Sequence, residues 1–144
     1  MLRIAILAAL LTLTGAAQAC GYCVEDKMAA AYDHAVVTRA LAQKHKIAFF
    51  HIDGVLVSGD ATKQALEAIA GAAAGADRGS VRVSVASASL SVAFDPQRTT
   101  LGALHKDLER RLAARKLSLM LLQVMDRPAE FSPSVTASMK RERR

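Results

Sequence analysis

The chain has 144 residues, a formal net charge of +6 and a hydrophobic content of 52%, with two cysteines and no tryptophan. That length suits one small domain with an aliphatic core and is too little for two. The charge makes no nucleic-acid footprint: residues 127–144 hold Arg127, Lys140, Arg141, Arg143 and Arg144 against Glu130 and Glu142, and no basic face is clustered elsewhere.

Residues 1–19 read as a cleavable export signal. Met1-Leu2-Arg3 is a short basic start, and Ala17-Gln18-Ala19 supplies the small-x-small pattern of a cleavage site. Between them lies an apolar run of about ten residues, which suits a signal core. It is too short for a bilayer span, which takes roughly 20. Charges interrupt every later stretch, so no transmembrane segment is expected after signal removal. The chain is therefore expected to be exported, periplasmic or secreted, and to begin at Cys20. Lipidation of Cys20 is the alternative, although Ala17 and Gln18 fit a lipoprotein signal poorly.

Cys20-Gly21-Tyr22-Cys23 opens the mature chain, and residues 24–44 are predicted as one helix. They contain no Pro or Gly, and Val24, Met28, Ala31, Tyr32 and Ala35 fall at spacings of three and four. Residues 47–52 read as a strand closed by Asp53-Gly54. A loop follows, and Asp60 is a plausible cap for a helix over 61–74. Val81, Val83 and Val85 alternate with polar residues, as do Leu90, Val92 and Phe94, which predicts two half-buried strands joined by a hairpin. Thr99 or Thr100 can cap a helix over 101–116, and residues 117–125 form a last apolar strand. Beyond Arg127 the composition predicts a disordered basic tail, with attraction to anionic lipid as the sharper alternative to a solvated one. The expected organisation is signal (1–19), motif plus N-terminal helix (20–46), domain (47–126) and tail (127–144). Its fold class is α+β: a ferredoxin-like βαββαβ sandwich with an extra N-terminal helix.

Phe50-His51-Ile52-Asp53-Gly54, together with Val92-Ala93-Phe94-Asp95-Pro96 leading into Thr99-Thr100-Leu101, resembles a heavy-metal-associated domain over residues 46–126. The resemblance implies a ferredoxin-like fold and soft-metal handling. It departs where the family places its Met-x-Cys-x-x-Cys loop. Counted from Gly54, the two cysteine positions fall on Val57 and Asp60, and neither is a soft ligand.

The remaining candidate site is Cys20 and Cys23. Two thiols three residues apart can share one side of a turn, and a helix beginning just beyond them favours the thiolates. Two thiolates suit Cu(I), the candidate cargo, and would allow exchange with a partner protein's thiolates. Zinc would need two more ligands. A structural disulfide in a non-catalytic interaction module, or thiol–disulfide exchange, are the competing roles. The carrier reading makes the chain no enzyme. Val24 in place of a histidine removes covalent haem attachment. His34, His45, His51 and His105 are expected to be ordinary surface or satisfied histidines. His34, about 16 Å from Cys23 along a continuous helix, could join the pair only if that helix broke. Two apolar faces are expected on the first and last strands. One is to be covered by the domain helices, the other by the N-terminal helix through Met28, Tyr32 and Ala35, or by a homodimer partner.

Overall fold

The computed structural model describes the backbone of residues 19–128 and the side chains of residues 24–128. The expected signal therefore lies outside the described residues, except for Ala19, and so does the expected tail beyond Pro128. Helices α1 (Ala19–Ala30) and α2 (His34–Ala42) precede strand β1 (Lys46–Asp53) and helix α3 (Asp60–Gly71). Strands β2 (Arg82–Ser84) and β3 (Ser89–Phe94), helix α4 (Leu101–Leu112), a 3-10 turn (Ala113–Arg115) and strand β4 (Ser118–Met125) complete the order.

The strands form one sheet in the order β2-β3-β1-β4, and every neighbouring pair is antiparallel. That order, with one helix after β1 and one after β3, is the ferredoxin-like sandwich expected from the sequence. The alternation along β1 divides two cores. Ala48, Phe50 and Ile52 pack with Leu66, Ala70, Leu104, Leu108 and Leu112 of α3 and α4. Ile47 and Phe49 pack with Val37 and Ala40 of α2, Ala93 and Met125, and Met28 and Tyr32 join them. The second face is thus covered from within the chain, as expected for Met28 and Tyr32. Ala35, by contrast, is exposed, and α2 buries Val36, Val37 and Ala40 instead.

The single helix predicted over 24–44 is two helices, and the reason is tertiary. Asp33 caps α2 by accepting from Val36 N at 3.1 Å, while its other oxygen accepts from Arg82 Nε at 2.7 Å. Ser91 Oγ donates to the Ala31 carbonyl at 2.6 Å, drawing the end of α1 onto β3. Both fixing groups are strand residues far away in sequence. Gly59, not Asp60, is the N-cap of α3, and Asp60 is its first residue. Thr100 does cap α4, accepting from Ala103 N at 3.1 Å.

Asp107 ties the two domain helices together. Its carboxylate accepts from Arg111 Nε and from Ala74 N, just beyond α3, and pairs with Arg110. The Arg111 guanidinium and the Ala74 N–H together hold this carboxyl down at about 2.

Candidate functional site

Cys20 and Cys23 are the second and fifth residues of α1, three positions apart in a helical backbone. Lys27, one turn beyond Cys23, anchors the helix: its Nζ donates to Ser87 O at 2.8 Å and lies 3.0 Å from His51 Nδ1. Because Lys27 meets the residues just before β3 and Ala31 meets Ser91 within it, α1 runs parallel to β3. Its N-terminal turn therefore extends past the β2–β3 turn. By rise per residue, Cys23 lies about 6 Å and Cys20 about 10 Å upstream of Lys27 along the axis.

This is the sheet end from which the 54–59 loop departs, because His51 pairs with Ser89 and Asp53 with Ser118. Gly54 has a φ of +125°, and a Cβ there would meet Leu117 Cδ2 at 2.7 Å and Lys116 O at 2.8 Å, so the strand can end only in glycine. After it, Val55 is 90% and Val57 71% exposed, with Leu56 tucked against the core. The loop offers an apolar surface. The positions that carry thiols in the resembled family hold Val57 and the first residue of α3. This donor set does not fit a soft ion.

The histidines are dispersed. His45 Nδ1 lies 2.6 Å from Asp77 at the opposite end of the sheet, and its Nε2 is 3.9 Å from Asp95. His105 Nε2 donates to Leu119 O at 3.0 Å, and its ring lies 5.0 Å from that of Phe50. His34 is the exposed first residue of α2. The helix does break before it, yet two turns of α1 still separate it from Cys23. His51 faces α1, with Nδ1 2.9 Å from Ala88 O. Among the side chains described, those of residues 24–128, no group of three or more His, Cys, Asp or Glu is arranged to hold a metal. Nor is any described helix long and apolar enough to cross a membrane. The Lys27–His51 contact joins positions 24 apart, and no sequence pattern announces it.

No family model matches the chain, and no curated protein matches it. Solved structures similar to it include the following two. The copper binding domain from HMA7, a P-type ATPase, aligns with a TM-score of 0.43 and 15% identity, over 55% of this chain and 96% of that one. Oxidized MerP from Ralstonia metallidurans CH34 aligns with a TM-score of 0.43 and 15% identity, over 55% and 99%. The likeness is one of fold.

Proposed function

We propose that the chain is an exported, non-enzymatic carrier of a soft metal ion, Cu(I) by chemistry, held by Cys20 and Cys23 and passed to a partner protein by ligand exchange. The observation that carries this reading is that the CGYC segment forms the opening turn of a helix whose body is pinned to the sheet. Backbone N–H groups without partners at a helix N-terminus favour thiolates. The Lys27 ammonium one turn on adds positive charge near the same end. Two thiolates leave the coordination sphere of Cu(I) open, so an incoming thiolate can bind before one departs.

The test is a Cu(I) titration of the reduced, processed protein against a chromophoric chelator. One equivalent should bind tightly. Cys20→Ser or Cys23→Ser should each abolish this, while Val57→Ser and Asp60→Asn should leave it intact. Retention of tight binding by the double cysteine variant, or an affinity no better than that of a short CGYC peptide, would sink the proposal. Intact mass reads the export half. The processed chain should begin at an unmodified Cys20, and a lipid adduct or a retained Met1 would overturn that part.

A further inference from the structure

We propose that the groove between α4 and the loop following α3 binds a short zwitterionic peptide, with its amino terminus at Asp77 and Asp95 and its carboxylate at Lys106 and Arg110. The groove opens at the end of the sheet where β1 begins beside the last residue of β3, opposite the end from which the 54–59 loop departs. Its volume of about 530 Å³ falls within the range of small-molecule sites. The site makes no use of the cysteines and stands apart from the metal reading.

One wall of the groove is pinned at successive residues. Ala74 N donates to Asp107 Oδ2 of α4 at 2.9 Å. Gly75 lies on the turn before α4: its φ is +91°, and a Cβ there would come 2.5 Å from Thr99 Cγ2, so only glycine fits. Ala76 bridges to Phe94 at the end of β3, and Asp77 Oδ2 lies 2.6 Å from His45 Nδ1. The wall thus runs from α4 to the sheet end in four residues, at most about 10 Å. Charge sorts along the same line. At the α4 end the Asp107 carboxylate is taken up by Arg110, Arg111 and Ala74 N, and Lys106 has no acidic partner among the described residues, so the surplus is positive. At the other end two carboxylates share one histidine. His45 Nε2 is 3.9 Å from Asp95 Oδ2, too far for a hydrogen bond, so the surplus there is negative. Arg98, in the turn after Asp95, lines the groove and pairs with neither carboxylate.

A groove charged oppositely at its two ends fits a ligand charged the same way. A peptide's terminal ammonium is largely protonated at neutral pH and offers three donors to the carboxylates. Its terminal carboxylate accepts charge-assisted bonds from Lys106 and Arg110. An extended chain covers up to about 3.5 Å per residue, so two or three residues span the wall. Ala103 presents a small side chain on the α4 side, which leaves room for the ligand's own. The pinned loop is already ordered, so little freedom is lost on binding. A simple anion would meet one end and be repelled by the other, and a polyamine the reverse.

The test is an NMR titration of the metal-free protein with trialanine, N-acetyl-trialanine and trialanine amide. Trialanine should give saturable amide shifts centred on Gly75, Ala76, Arg98 and Lys106. Capping either terminus should weaken binding by at least about tenfold, since each cap leaves one charged end unmet. Lys106→Gln and Asp95→Asn should each weaken trialanine to a similar extent. Lys106 is exposed, and asparagine keeps the oxygen that accepts from Gln97 N, so both variants should retain the wild-type spectrum outside the groove. No saturable response at millimolar trialanine, equal binding of either capped peptide, or wild-type affinity in both folded variants would overturn the proposal. Each of these outcomes leaves the cysteine carrier standing, because no metal enters the experiment.

Discussion

The two faces of the sheet are held by different means. Against α3 and α4 lies a continuous apolar layer in which Phe50, Leu66, Leu90, Leu104, Leu108 and Leu112 are at most 1% exposed. Against α1 and α2 lies a smaller cluster around Phe49 and Val37, and around it the helices are fastened by polar pins: Asp33 to Arg82, Ala31 to Ser91, and Lys27 to Ser87. Burial scales with apolar area and is insensitive to direction. Hydrogen bonds contribute less each and fix orientation. The first face therefore supplies most of the stability, and the second sets where the CGYC turn sits.

Replacing Phe50 by Ala tests the first half of the contrast. It should destabilise the whole molecule by about 3–5 kcal/mol, read as a lower urea midpoint with the slope unchanged. A loss below about 1 kcal/mol would mean that the α3–α4 face is not the main core. Asp33→Ala removes both the α2 cap and the Arg82 pair, whose guanidinium holds the Asp33 carboxyl below its ordinary range. The expected cost is smaller, about 1–2 kcal/mol. Amide exchange should rise in α1 and α2 while α3, α4 and the central strands stay protected. Uniform acceleration across the chain would erase the distinction between the faces.

The acid limb of stability should report the α3–α4 side as well. The folded Asp107 carboxyl, at about 2, lies below its ordinary value of 3.8. Its contribution is therefore complete above about pH 4 and is lost as the pH falls through about 2. Asp107→Asn should lower the Tm near neutrality and flatten its fall over that window. An unchanged acid limb would show that the Ala74 and Arg111 contacts contribute nothing linked to protons. The smallest effect is expected at the 54–59 loop. Val55→Ser with Val57→Ser should shift stability by no more than about 0.5 kcal/mol, since both side chains face solvent. A larger loss would mean that the loop packs against something.

Much of the domain was legible in sequence. The alternation of Val81, Val83, Leu90, Val92 and Phe94 and the leucine spacing from Leu101 to Leu112 mark the sheet and the last helix, because periods of 2 and 3.6 follow directly from backbone geometry. Met28 and Tyr32 could be assigned to the second face because residues 47–52 are apolar on both sides and demand a cover. The spacing of Cys20 and Cys23 is likewise a property of the chain alone.

Tertiary structure decided where the helix that carries that pair lies. Asp33, which caps α2, is a local signal at the break; the rest of the segment is rich in helix formers, and propensity alone would carry the helix on to Lys44. The break follows from Arg82 reaching Asp33 and Ser91 reaching Ala31, contacts spanning 49 and 60 positions. His51 looked like any strand histidine until α1 was laid across it, since its position in β1 reveals nothing about a lysine 24 residues earlier. Periodic patterns record which face of an element is apolar, and so the sequence determined the layers. The polar contacts that orient one element on another depend on atoms brought together only by folding, and those the structure alone could supply.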